Sequence, residues 1–153
     1  MEIPGMSLGA QTILLGELGS GFTEKFTSAK SFCKWSNLVP NNKISGGKLL
    51  SCKVPKQKNR VGQVFRLCAN SVKSVKTGLG IYFRRQKSKD GHLQAIVATA
   101  NKIAKIFYTM IVNKNHYDES KVGLDEKQLL ERKIIMAQRT IDRLNLKLSV
   151  AQG

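Results

Sequence analysis

The stretch "HLQAIVATANKIAKIFYTMIV", residues 92–112, decides the fold class. Leu93, Ile96, Val97, Ala100, Ile103, Ala104, Phe107 and Ile111 recur three and four apart, which places them on one stripe of an α-helix. A long helix with such a stripe must bury it against neighbours, so a mainly α protein packed around this element is expected. Asn101, Lys102 and Lys105 interrupt its apolar run, which argues against a membrane span.

The flanking segments read the same way. Before it, "GLGIYFRRQKSKDG" (78–91) supplies Ile81, Tyr82 and Phe83 as apolar bulk, Arg84-Arg85 as a paired cationic face, and Asp90-Gly91 as a stop. Val64, Leu67, Cys68 and Val72 predict a helix starting near Val61. In "FTSAKSFCKWSNLVP" (26–40), Ser28 is a candidate N-cap, Phe32, Trp35 and Leu38 follow at helical spacing, and Pro40 ends the element. That spacing puts Trp35 in the core, with base stacking as its alternative. "IPGMSLGAQTILLGELG" (3–19) reads as a Pro4-Gly5 turn and a helix carrying Ile13, Leu14, Leu15 and Leu18, like a helix-hairpin-helix element. Ser7 occupies the place of that element's second glycine, so a structural turn competes with a phosphate-binding one.

After the long helix, "NKNHYDESKVG" reads as a polar linker. Asp125, three residues before Gln128, can cap a last helix. There Leu130, Ile134, Ala137, Ile141, Leu144 and Leu148 step by 4, 3, 4, 3 and 4, which suits either a coiled-coil seam or docking on the chain's own core. The expected organisation is a compact helical domain over 1–118, then a linker and amphipathic helix over 119–153.

The formal net charge of +16 is concentrated in one interval. Sixteen of the 26 Lys and Arg lie between Glu24 and Asp90 with no acidic residue among them, and the other ten are matched by ten Asp and Glu. Such a surface offers a polyanion no repulsive site, and each neutralised phosphate releases counterions. Nucleic acid is therefore the expected partner. The cations are spread over several elements and do not form one face of an apolar helix, so a membrane surface is not expected. Cys33, Cys52 and Cys68 are odd in number and lack CxxC spacing, which fits a reducing compartment and argues against zinc. The N-terminus lacks a basic leader before its apolar part, so a cytoplasmic protein is expected.

The most cationic segment is "NNKISGGKLLSCKVPKQKNR" (41–60), a glycine-rich and then lysine-rich loop or irregular hairpin. Gly46 and Gly47 after Ser45 let a phosphate approach the backbone, and Lys43, Lys48, Lys53 and Arg60 could stabilise charge on phosphorus. Serine before glycine is also ordinary turn chemistry. "GGKL" is no Walker loop, since Asn42 stands where its first glycine belongs and Leu49 where Ser or Thr should follow Lys48. No carboxylate cluster accompanies the basic region, so no metal site is expected on this chain. His92 and His116 flank the long helix and join no nucleophile motif.

Taken in order, "IPGMSLGAQTILLGELG", "FTSAKSFCKWSNLVP", "SGGKLLSCKVPKQKNRVGQVFRLCANS", "GLGIYFRRQKSKDGHLQAIVATANKIAKIFYTMI" and "HYD" resemble the C-terminal domain of the bridge-RNA-guided insertion-sequence transposases, the family typed by insertion sequences 110, 116 and 902. The resemblance runs from about Ile3 to Tyr117. It implies a helical domain bearing a serine nucleophile, which acts with an N-terminal RuvC-like domain whose four acidic residues hold divalent metal, Mg by expectation. A structured guide RNA directs the pair to donor and target DNA. By motif match the nucleophile is Ser45, and Lys48, Asn59, Arg60 and Arg66 fall in a family block. Nucleic-acid contacts are expected from these and from Lys43, Lys53, Lys56, Arg84 and Arg85. Many relatives carry glycine at Lys58 and Leu-Arg at Gly62-Gln63, so the local loop path is open. The metal-binding domain lies outside this sequence, so the chain alone is expected not to recombine DNA. A non-catalytic nucleic-acid-binding remnant or regulator is the alternative, and assembly with a second copy is open.

Overall fold

The computed structural model describes residues 3–55, 59–122 and 126–151. Its elements are α1 (Leu8–Leu18), α2 (Phe22–Lys25), α3 (Ala29–Trp35), β1 (Asn41–Ser45), β2 (Lys48–Lys53), α4 (Arg60–Ser71), α5 (Gly78–Asp90), α6 (His92–Asn113) and α7 (Glu126–Ala151), with 3₁₀ turns at Val72–Ser74 and Glu119–Lys121. The protein is mainly α, as the periodicity requires, and the two strands pair only with each other.

Helix α6 is the centre. Ala100, Ile103, Ala104 and Phe107 are buried against α3, α4 and α5. Its length and mean hydropathy would suit a membrane span, but this stripe is covered by the chain's own helices. The first residue of the predicted stripe differs: Leu93 is exposed, because it lines an open groove together with Gln94, Val97 and Ala98 and does not reach the core. Phe22, Phe32, Phe65 and Phe107 meet with ring centroids 5.0–6.5 Å apart, mostly edge to face. Tyr108 closes this cluster, and its hydroxyl donates to the Phe26 carbonyl at 2.7 Å.

The N-terminal segment is a turn followed by α1, and among the described residues no helix precedes it. Met6 N–H donates to the Ile3 carbonyl at 3.0 Å and Gly5 has φ +80°, a type II turn. A Cβ on Gly5 would lie 2.7 Å from the Cys68 carbonyl, so glycine is what lets the turn sit on α4. Ser7 is spent structurally: its Oγ accepts from Ala10 N–H at 3.3 Å as the α1 N-cap. Of the four apolar residues read on α1, only Leu14 and Leu18 are buried.

Helix α3 opens on a Ser28–Ser31 capping box. It closes in a Schellman motif: Asn37 takes φ +54°, its amide donates to the Lys34 carbonyl, and Leu38 N–H donates to the Cys33 carbonyl. Leu38 is thereby turned into the core, and Asn101 Nδ2 holds its carbonyl at 3.1 Å. Trp35 is not core. It is 46% exposed, near-parallel to Phe32 and tilted against Phe26 at the rim of the aromatic cluster. Leu67 on α4 is likewise exposed, because that helix buries the adjacent stripe of Val61, Val64, Phe65 and Cys68.

The segment read as a linker is partly folded onto the body. Val122 is buried, its carbonyl accepts from Lys102 Nζ, and Glu119 accepts from both Tyr117 Oη (2.6 Å) and the Gly78 amide at the start of α5. The proposed cap Asp125 lies outside the described residues.

Candidate nucleic-acid interface

The basic loop is an antiparallel hairpin. Asn41, Asn42 and Lys43 pair with Lys53, Cys52 and Ser51, while Ile44 and Ser45 pair with Leu49 and Lys48. Leu50 is the extra residue, a bulge that breaks the alternation the sequence would otherwise show. Gly46 and Gly47 form the two-residue tip with φ +55° and +74°, the pair of left-handed conformations that a type I′ turn requires.

Side chains alternate across a pleated strand, and directly paired residues share a face. One face of the hairpin therefore collects Lys43, Ser45, Lys48, Ser51 and Lys53, and the other takes Ile44 and Cys52. Every residue of β1 is exposed, Ser45 included. Nothing lies within 4 Å of where a Cβ would sit on Gly46 or Gly47, so the backbone beside Ser45 is open to an approaching phosphate. Four of the sequence-derived site residues thus share one open surface, a hydroxyl flanked by three ammonium groups.

The hairpin base walls a groove of about 880 Å³ whose far side is α5 and α6. Leu38, Val39, Tyr82 and Val97 line it, and Lys30, Lys53 and Lys105 stand around it. Lys53 belongs to both surfaces and joins the hairpin face to the groove. Lys30 and Lys105 were not legible as site residues, since each reads as one of many scattered lysines.

Asn59, Arg60 and Arg66 sit elsewhere, and the fold uses each. Asn59 is the N-cap of α4: its Oδ1 accepts from Gly62 N–H at 2.9 Å and its Nδ2 donates to the Trp35 carbonyl at 3.0 Å. Arg66 Nη2 donates to the Asn37 carbonyl at 2.6 Å, and burial pulls its guanidinium below the ordinary value. The two therefore pin the carbonyls on either side of Ser36, four residues before Pro40 and the root of β1. Between them, Gly62 comes so close that a Cβ would lie 2.0 Å from the Ser36 carbonyl oxygen, which fixes the local path of the chain. Arg60 pairs with Glu17 of α1 at 3.0 Å, with its side chain 69% exposed. Lys56 lies outside the described residues.

Arg84 and Arg85 lie on α5. Arg84 Nη1 donates to the Lys73 and Val75 carbonyls at 3.1 Å, tying down the turn before the helix. Both arginines also line a groove of about 800 Å³ toward α7, where Arg132, Lys133 and Arg139 face them over Ile81, Ile135 and Met136. The α7 cations were missed by the sequence reading. Their signal was present beside the Leu130–Leu148 spacing, Arg132 and Arg139 opposite it and Lys133 at its edge.

Among the described residues no three His, Cys, Asp or Glu side chains converge to hold a metal ion. The three cysteines are free thiols. Cys33 and Cys68 are buried, and burial pushes each thiol up to about 11. Cys52 is exposed.

A family model described as that of the IS116/IS110/IS902 transposases matches residues 1–81, just over half of the chain. The matched stretch runs from the type II turn through the hairpin and α4 into α5. No curated protein and no solved structure matches the chain.

Proposed function

Because the chain belongs to the IS116/IS110/IS902 transposase family, we propose that it is the serine-bearing C-terminal domain of a DNA transposase, which lays the cationic hairpin face along a sugar-phosphate backbone with Ser45 as the attacking oxygen. The observation that carries this reading is the placement of exposed Ser45 on one face with Lys43, Lys48 and Lys53, beside an unobstructed Gly46-Gly47 tip. In the attack, the serine oxygen bonds to phosphorus and a deoxyribose oxygen leaves with a proton. The strand is cut while its bond energy is kept in a phosphoserine link, so religation needs no nucleotide hydrolysis. The three lysines neutralise charge at the five-coordinate phosphorus. Asn59 and Arg66 act at one remove, by holding the segment from which the hairpin projects.

Divalent metal belongs, on this reading, to a RuvC-like domain, and target choice to base pairing with a guide RNA. The chain alone binds DNA and does not recombine it. Free thiols suit the reducing compartment in which such DNA lies. The test is reconstitution of the chain with a RuvC-like half, cognate DNA and RNA, scored for a covalent protein–DNA adduct. An adduct abolished by Ser45→Ala supports the assignment, and one that persists removes Ser45 from its role. DNA binding that falls steeply with salt while no reconstitution gives an adduct would favour the non-catalytic remnant or regulator.

A further inference from the structure

The face that α7 turns toward the body is not its apolar seam. Arg132, Lys133, Ile135, Met136 and Arg139 line the groove shared with α5. In the heptad set by Leu130, Ile134, Ala137, Ile141, Leu144 and Leu148, Arg132, Ile135, Met136 and Arg139 take b, c and f positions, on the far side of the helix from a and d, while Lys133 takes a g position at the seam's edge. The seam therefore points away from the chain's own core. Leu130, Ile134, Ile141, Leu144 and Leu148 are between 49% and 65% exposed, and no side chain described from Leu130 to Ser149 is buried. Docking on the chain's own core is thus not the use of this seam.

We propose that the seam pairs with α7 of a second copy as a parallel two-stranded coiled coil. The core composition selects this occupant. The a positions hold Ile134, Ile141 and Leu148, and two of the three d positions hold leucine, the distribution that favours parallel dimers. The flanking charges agree. An antiparallel pair sharing these layers would set Lys133 beside Lys147 at both ends, whereas a parallel pair sets Lys133 beside Gln138 and Thr140 beside Asn145. The like-charged parallel pair, Glu126 with Glu131, flanks the first core layer, Leu130, at the N-terminal end of the seam. Closing the seam with its flanking stems buries on the order of 1,000 Å², the lower limit for a stable interface, so a dimer dissociating in the micromolar range is expected.

The test is sedimentation equilibrium of the full chain over micromolar to sub-millimolar concentrations. A monomer–dimer equilibrium is expected, lost in Ile134→Lys/Ile141→Lys and kept in Leu146→Lys, which lies outside the seam. Helical content unchanged by circular dichroism shows that the double variant still folds. A monomer throughout, or a dimer indifferent to the double variant, overturns the proposal. Orientation is read by mild oxidation of Leu130→Cys in a Cys52→Ser background. A 130–130 disulfide supports parallel pairing, and a cross-link that forms only when Leu130→Cys is mixed with Leu148→Cys overturns it.

Discussion

Replacing Gly62 with alanine tests whether the clamp at the hairpin root is as tight as its geometry states. Alanine in the first turn of α4 is by itself favourable by up to about 1 kcal/mol. Here the new methyl would sit 2.0 Å from the Ser36 carbonyl oxygen, so α3 and α4 must part by roughly 1 Å to restore ordinary contact. The Ser36 carbonyl cannot swing aside, because its neighbours are held by Asn59 (to Trp35) and Arg66 (to Asn37). Forced overpacking costs about 1–3 kcal/mol, and losing or stretching one of those two bonds adds about 1–2 kcal/mol. The net expectation is destabilisation by about 2–3 kcal/mol, which for a chain of this size lowers Tm by roughly 5–10 °C. Thermal and urea unfolding followed at 222 nm measure it. Gly16→Ala, on α1 with nothing within 4 Å of the added methyl, is the matched control and should stabilise by about 0.5–1 kcal/mol. A Gly62→Ala protein as stable as the parent would refute the clamp.

Ser45→Ala should leave Tm unchanged, since the side chain is exposed at a hairpin tip, and a loss above about 1 kcal/mol would mean that the hydroxyl serves the fold. Changing Lys43, Lys48 and Lys53 together to alanine should reduce the slope of log K against log salt for DNA binding by about 2–3, and an unchanged slope would place the phosphates elsewhere. A thiol reagent at pH 8 should label one cysteine, Cys52, in the native protein and all three after unfolding, because Cys33 and Cys68 are held protonated to about 11. The same two thiols bind protons more tightly folded than unfolded, so their contribution is whole below the ordinary thiol value of 9.0 and is lost as pH climbs toward 11. Tyr117, raised by burial and by Glu119, acts with the same sign, and Lys102, lowered by burial, opposes it. Stability should therefore fall on the alkaline side of pH 9, and a urea midpoint flat from pH 8 to 10.5 would contradict those burials.

Where local pattern decides structure, the sequence was readable. The α6 stripe, the Ser28 cap and the Pro4-Gly5 turn each depend on residues a few places apart. Trp35, Leu67 and Leu93 were misplaced because periodicity says which residues share a face and not which edge of that face its neighbours cover. The hairpin was blurred by one bulged residue, Leu50, which shifts the alternation on one strand only. The site divides along the same line. Lys43, Ser45, Lys48 and Lys53 fall together because a tight turn joins them. Asn59, Arg60 and Arg66 looked like their companions in a basic run, yet their partners are Trp35, Glu17 and Asn37, tens of residues upstream.

The rings of Phe107 and Tyr108 fill the space between Phe22, Phe32 and Phe65, although they lie more than twenty positions past residue 81. A gene trimmed to the recognisable stretch would keep the hairpin and its serine but yield a hollow-centred polypeptide, prone to precipitate when expressed. Whoever dissects such transposases into modules should place the cut by burial, after Val122, because the signature that advertises the chemistry ends well short of the mass that holds it upright.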